Sequence, residues 1–389
     1  MTETRGNRVQ LVEGHRLRQI LIHVCVVGGM ALPFPVFSME LGEFVTIDGA
    51  LRGIVQHGRY NNATNEEGEE LDRETGGAAI GDLAIDIAPT PRDTFWTLLR
   101  FARGNALNDV GGIQLSPYNG PLEDDAKNIN DSGRNYILEA WYRHTFAPGA
   151  NTGLALTGGI IDSTNYIDEN RYANDEDSQF MMPPFATPDN TVGAPSYDPG
   201  VALELNGNQW SLNGVYMRTS NEILEDADYF GAQAGYHYTI ARGPGNIRVL
   251  ASTSNGQVKK EKGEGDATMY GLGVSIDQEL GEGWGIFFRA FAQNDEAPIV
   301  YDRDLSGGVS ISGLQWGRPD DVLGIAYAHL IGSSRQDIDY TNAAEAYLKF
   351  QLIRSVDFTV DVQYEKDHMA SGKDDPQAWI FGGRLNVIF

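Results

Sequence analysis

The chain has 389 residues, a formal net charge of −25, 46 glycines and one cysteine. So acidic a surface argues against nucleic-acid binding, which needs Lys and Arg against phosphates. A single cysteine excludes a disulfide scaffold.

At the N-terminus, Arg16 and Arg18 precede an apolar stretch from Ile20 to Phe37 that ends in Pro35-Val36-Phe37-Ser38. This pattern predicts a secretory signal peptide over residues 1–38. His23, the Gly28-Gly29 pair, Pro33 and Pro35 interrupt the stretch well short of the ~20 apolar residues that a membrane-spanning helix needs. Cys25 lies inside it, so a mature chain beginning at Met39 contains no cysteine. That chain has also lost four arginines and two glutamates, which moves the net charge from −25 to −27.

From Met39 onward, aromatic and β-branched residues recur in segments of about ten with alternating polarity, the signature of transmembrane β-strands. The pattern predicts sixteen strands, at 43–57, 76–88, 92–104, 134–146, 152–161, 199–206, 209–219, 228–240, 245–255, 267–279, 283–295, 305–317, 321–332, 341–353, 356–367 and 377–389. In the first, Leu51 and Val55 oppose Asp48, Arg52 and Gln56. In the fifteenth, Val356, Phe358, Val360, Val362 and Tyr364 oppose Asp357, Asp361 and Glu365. A period of two sends these sets to opposite faces of a sheet. The last strand puts Trp379, Phe381, Gly383, Leu385, Val387 and Phe389 on one face, and it resembles the terminal strand of bacterial outer-membrane barrels. Short connections such as Thr90-Pro91-Arg92, Arg318-Pro319-Asp320 and Arg354-Ser355 alternate with long ones, the arrangement of periplasmic turns and external loops. The fold class is therefore an all-β antiparallel transmembrane barrel, residues 39–389. A soluble sandwich or propeller would not keep charges on one parity and aromatics on the other, and no short repeat is visible.

The inward parity carries Arg52, Arg100, Glu139, Trp141, Arg143, Arg289 and Lys349 as lumen-facing candidates, with Arg248, Arg384, Asp48, Asp82, Asp86, Asp277, Glu345, Asp357, Asp361 and Glu365. This predicts a wet lumen of mixed charge. Trp96, Trp141 and Trp316 fall on the same parity as surfaces on which sugar rings can stack, although a tryptophan near a strand end also suits the interfacial girdle.

The longest connection, 162–198, contains the acid-rich run Asp168-Glu169-Asn170-Arg171-Tyr172-Ala173-Asn174-Asp175-Glu176-Asp177. As a calcium loop it fails, because Tyr172 and Ala173 stand where an EF-hand needs an oxygen ligand and a glycine. As a disordered tail it carries too many anchors, among them Tyr166, Tyr172, Phe180 and Met182. The stretch from Gly158 to Met181, with Asp162, Asn170, Tyr172-Ala173-Asn174-Asp175 and Gln179-Phe180, resembles the central motif of the OprB-type carbohydrate-selective porins. The Tyr197-Asp198-Pro199-Gly200 segment and the terminal Gly382–Phe389 agree with it.

That resemblance implies a water-filled outer-membrane pore of a Gram-negative bacterium that prefers glucose and other neutral sugars, narrowed by inward-folded loops. It places Asp162, Asp168, Glu169, Asn170, Arg171, Tyr172, Asn174, Asp175, Glu176, Asp177, Gln179 and Phe180 at or near the narrowing. Outer-membrane lipid, lipopolysaccharide, the barrel-assembly machinery reading the last strand, and a homotrimer are the expected partners. No cofactor is expected beyond nonspecific divalent cations at the acidic external loops. Two other functions fit the sequence: a general or cation-preferring porin drawing cations to its acidic loops, and a non-conducting structural or adhesive barrel. Enzymatic readings fare worse. His57, His144, His237, His329 and His368 stand apart without metal-ligand spacing, no serine partners His144, and the Gly307–Gly313 run has neither the lysine nor the helix of a phosphate loop.

Overall fold

The computed structural model describes residues 39–389 apart from 66, 132, 150–151, 188–192, 220–223, 259–267 and 297–298. The expected signal peptide, residues 1–38, lies outside the described residues.

Seventeen strands are present among the described residues. The first half comprises β1 (Met39–Leu41), β2 (Val45–Asn61), β3 (Arg73–Thr90), β4 (Asp93–Arg103), β5 (Ile137–Gly149), β6 (Thr152–Ile161), β7 (Asp198–Asn206), β8 (Trp210–Thr219) and β9 (Leu224–Ile240). The second comprises β10 (Gly243–Val258), β11 (Met269–Gly281), β12 (Trp284–Gln293), β13 (Tyr301–Ser312), β14 (Val322–Gly332), β15 (Ile338–Ile353), β16 (Val356–Met369) and β17 (Gln377–Ile388). Strands β2 to β17 pair antiparallel with their chain neighbours, and β17 pairs back onto β2, so sixteen strands close into a barrel. Closure leaves no unpaired edge in hydrocarbon, where an unsatisfied peptide group costs several kcal/mol. The three residues of β1 continue the seam, pairing with Val45–Ile47 where β17 has ended.

The seam is locked by Phe389. Phe389 exchanges backbone hydrogen bonds with Gly49, at 2.6 and 2.9 Å. Its ring lies over that glycine, and a Cβ at position 49 would fall 2.4 Å from Cε2. A side chain there would push the ring off the seam.

The outer face follows the expected parity. Leu51, Val55, Phe101, Leu203, Leu212, Val249, Leu272 and Phe381 are all more than two-fifths exposed. So continuous a band of exposed apolar side chains would be a liability in water and is the lipid belt of a membrane barrel.

All sixteen expected barrel strands are found, with ends shifted by at most five residues. The largest departure is at 305–317. Strand β13 stops at Ser312, and residues Gly313–Trp316 form a 3₁₀ turn. Gly313 is packed so closely that a Cβ would meet the Arg318 carbonyl oxygen at 1.8 Å, and Gly317 takes the left-handed φ of 77°. The Arg318-Pro319-Asp320 turn is therefore part of a longer connection, residues 313–321. Trp316 sits in that connection with its Nε1 donating to Asp321 at 3.2 Å, and it does not face the lumen wall.

Candidate functional site

Among the described residues, two loops fold into the barrel. The first, residues 162–197 between β6 and β7, crosses the lumen and is tied to strands on both sides of it. Its base is closed by Asp162, whose Oδ1 accepts from the Thr164 N–H at 2.8 Å, the Thr164 hydroxyl at 2.7 Å and the Ser196 hydroxyl at 3.0 Å. Asp168 follows, fully buried, with Oδ2 2.6 Å from Arg289 Nε and its backbone N–H donated to Gln233 at 2.8 Å. Arg289 also donates to the Ala173 carbonyl. Asn170 donates to Ser275 Oγ at 3.1 Å, and Arg171 pairs with Glu279 at 2.9 Å. Tyr172 lies against Gly285, where a Cβ would fall 2.1 Å from the ring. This half of the loop is thus fastened to β9, β11 and β12.

The chain then crosses to the other wall. Glu345 on β15 accepts the backbone N–H groups of Met181 and Met182, at 2.6 and 2.9 Å. Arg384 on β17, fully buried, donates to the carbonyls of Glu176 and Gln179, at 2.5 and 3.1 Å. Asn386 donates to the Asp177 carbonyl at 2.9 Å. Phe180 is inserted among Phe185, Phe287 and Tyr347, with ring centroids 4.9–5.8 Å away. It is an anchor rather than a pore surface, and the cluster around it gives this side of the barrel a packed interior. The expected wet lumen is thereby restricted. Glu345, Glu365, Arg289 and Arg384 point inward but lie buried under loop backbone, because peptide N–H and C=O groups brought into the barrel need charged partners there.

The second inward loop, residues 104–136 between β4 and β5, escaped the sequence reading. Gln114 and Leu115 donate their backbone N–H groups to Glu365 at 2.9 and 2.8 Å. The Pro117 carbonyl accepts from Gln56 and Gln363, both at 2.9 Å. Asn119 N–H reaches the Met181 carbonyl at 2.9 Å, which joins the two loops. Leu107, Leu115, Tyr118, Leu122 and Ile129 are all buried. Large apolar residues recurring through an otherwise polar connection were the available signal, since an external loop in water has no use for them.

The loops and the wall meet at a knot of four charges. Arg100 on β4 contacts Asp82 of β3 at 2.8 Å and Asp177 of the first loop at 2.8 Å. Arg52 on β2 contacts the same two carboxylates at 2.6 and 3.1 Å. Tyr118 of the second loop donates its hydroxyl to Asp177 at 2.5 Å. Burial pushes the Asp177 carboxyl up, but Arg100, Arg52 and the Tyr118 hydrogen bond outweigh it and hold the group below the usual carboxylate range. Burial pushes the Tyr118 phenol well up, and Asp177 adds to the effect.

Asn174 to Gln179 are half-buried, in contrast to Asp168, Asn170 and Phe180 on either side of them. Asp175 accepts the Asp177 N–H at 2.9 Å and the Ser178 hydroxyl at 2.5 Å, while Gln179 accepts the Asn174 N–H at 2.8 Å, which together fix the turn. Glu176 lies beside Gly120 of the second loop, where a Cβ would come within 3.0 Å of its Oε1. Desolvation, with Asp177 and Asp175 nearby, pushes the Glu176 carboxyl up to about 8. Glu169 and Arg171 are exposed. On the wall, Arg143 pairs with Glu204 at 2.5 Å, Glu139 accepts from Trp141 Nε1 at 2.9 Å, and Lys349 is half-buried. Among the described residues, no group of three or more His, Cys, Asp or Glu side chains is gathered as a metal site.

A closed sixteen-stranded antiparallel barrel with an apolar outer belt, charged side chains inside and inward loops defines the class: an outer-membrane diffusion channel. The model of the carbohydrate-selective porin, OprB family, matches residues 120–389, and the chain belongs to that family. In its fold it is similar to OprB of Pseudomonas putida in the high-pH structure, with a TM-score of 0.70 at 14% identity over 89% of this chain and 94% of that one. The outer-membrane channel DcaP of Acinetobacter baumannii matches with a TM-score of 0.56 at 13% identity over 89% of this chain and 97% of that one. In sequence, an uncharacterized protein of Aquifex aeolicus (strain VF5) is 29% identical over 290 residues, which span 74% of this chain and 80% of the relative. The protein is thus a carbohydrate-selective porin, a water-filled passage for small hydrophilic solutes across the outer membrane.

Proposed function

We propose that the passage left beside the turn 174–179, where the loop is fastened to Arg52 and Arg100, selects neutral sugars of monosaccharide to disaccharide size. One observation carries this reading: the charges at the knot alternate and balance, Asp82 and Asp177 against Arg52 and Arg100. The knot is closed on itself, its side chains keeping 4–14% of their surface, so it sets no net charge beside the passage, and a neutral solute with both donors and acceptors crosses without the field that would hold an ion. Many weak contacts let the solute enter and leave. The acidic external loops favour a secondary cation preference, because they concentrate cations at the mouth. The same loops suit divalent cations bridging to lipopolysaccharide phosphates, and the outer belt suits lipid or a neighbouring protomer of a homotrimer. The docking of Phe389 on Gly49 supports the last strand as the element engaged by the barrel-assembly machinery.

The test is reconstitution in planar bilayers and liposomes. Open channels blocked by millimolar glucose or maltose, with uptake of both sugars, are expected. A channel indifferent to sugars in both assays sinks the sugar preference and leaves a cation-preferring pore. No conductance sinks the diffusion reading in favour of a structural barrel.

A further inference from the structure

Trp96 on β4 and Trp141 on β5 stand directly opposite one another in register. Their rings stack, with centroids 6.0 Å apart and planes inclined by 22°. Both face the lumen. Their chain neighbours Phe95 and Tyr142 are exposed on the outer belt, and Arg100, on the same face of β4 as Trp96, contacts the inward loop. An interfacial girdle is therefore excluded for this pair.

Burial separates the pair from the packed interior. Phe180, Phe185, Phe287 and Tyr347, which fasten the loop to the wall, are 0–4% exposed, whereas both tryptophans are only half-buried. Trp141 is held in place by its indole N–H to Glu139 Oε2 at 2.9 Å, and Glu139 also accepts from Asn165 of the loop at 3.4 Å. Two residues along β5, Arg143 and Glu204 form a 2.5 Å ion pair whose side chains keep 19% and 16% of their surface. A fixed, wet aromatic surface edged by a carboxylate and an ion pair matches a pyranose. The apolar C–H face of the ring lies on indole, and the equatorial hydroxyls reach the charged groups.

We propose that the Trp96–Trp141 pair is a hexopyranose-binding subsite on the periplasmic side of the constriction. Trp96 is three residues from the turn end of β4, and Arg100 is four residues further, about 14 Å along the strand. A sugar leaving the constriction would meet this surface next, and a second weak site beyond a narrow one shortens the time spent in it. The inference rests on the sugar-selective reading above.

The experiment uses the full mature protein in planar bilayers, with glucose and maltose added from either side and current fluctuations analysed for association and dissociation. Trp96→Leu and Trp141→Leu should each insert as open channels and bind sugar about tenfold more weakly, mainly through faster dissociation. Trp96→Phe should recover most of the affinity. In the parent, sugar should associate faster from the short-turn side than from the loop side, and the leucine variants should lose that asymmetry. Equal sugar block in the parent and both leucine variants overturns the subsite and leaves sugar selectivity standing. A parent neither blocked by sugar nor permeable to it overturns both. Should the leucine variants fail to insert, the Trp96→Phe/Trp141→Phe double variant decides. Its smaller rings should weaken block about threefold, and unchanged block overturns the subsite.

Discussion

Asp177 Oδ2 lies 2.8 Å from Arg100 Nη2 and 3.1 Å from Arg52 Nη2, so one carboxylate of the loop answers two guanidiniums of the wall. The geometry makes Asp177 both the fastener of the loop tip and the counter-charge that keeps the narrowing neutral. Asp177→Asn removes the counter-charge and leaves two arginines sharing Asp82. Breaking a buried pair on one side costs about 3–5 kcal/mol. The variant should therefore unfold at lower temperature in detergent, and its reversal potential should shift toward anions. An unchanged reversal potential would place the tip away from the ion path.

Glu345 is the second fastener, accepting two consecutive loop N–H groups with one carboxylate. Glu345→Gln keeps one acceptor oxygen and turns an amide donor toward the other N–H. One buried N–H is left unsatisfied, at about 1–3 kcal/mol. The loop should loosen while the barrel stays closed, which single-channel recordings would show as added open-state noise and proteolysis as cleavage between 162 and 197. Noise equal to that of the parent would mean the loop is held without Glu345.

These two fasteners also show how far the sequence could be read. Period-two alternation exposed the barrel, because each strand must put lipid-compatible side chains on one face whatever its neighbours do. Arg52, Arg100 and Glu345 fall on the inner face by that alternation alone. Their partners were not legible, since Asp177 meets Arg100 only after the loop has crossed the lumen, and nothing local encodes that path. Asp168, Asn170 and Phe180 are pore candidates by sequence like their neighbours, yet the fold buries them against the wall and leaves Asn174 to Gln179 partly exposed. The second loop was hidden for the same reason: Leu115 finds its burial in the cluster of Phe180, Tyr301, Leu330 and Tyr347, and Tyr118 in that of Ile54, Ile80 and Met181, all distant in the chain. Trp316 failed locally, because a glycine-bounded 3₁₀ turn imitates two more residues of strand parity.

Gly285 on β12 provides a probe of the seat of the first loop. A Cβ there would fall 2.1 Å from the Tyr172 ring, a clash that only movement of the ring can relieve. Tyr172 stacks with Arg171, the guanidinium lying 5.5 Å from the ring centroid, so both residues should move together. Gly285→Ala should keep the barrel intact, with unchanged heat stability of the strands, and should alter single-channel conductance. Unchanged conductance would show that the Arg171–Tyr172 segment does not bound the passage.

Glu176 supplies a prediction in pH. Its carboxyl, pushed up to about 8 by desolvation and by Asp177 and Asp175, is protonated and neutral at pH 6.5 and ionised at pH 9.5. The turn thus gains one negative charge as pH rises through about 8, in a lumen where Arg100 and Arg384 are its positive neighbours. Cation preference should therefore rise between pH 6.5 and 9.5, and the reversal potential in a salt gradient should move in the cation direction with a midpoint near 8. The four-charge knot contributes no such step, because Asp177 stays ionised throughout this range. Glu176→Gln should remove the step while leaving conductance at pH 6.5 close to that of the parent, since both side chains are then neutral. A step of equal size in the glutamine variant would assign the titration to another group, and a flat profile in the parent would place Glu176 outside the ion path.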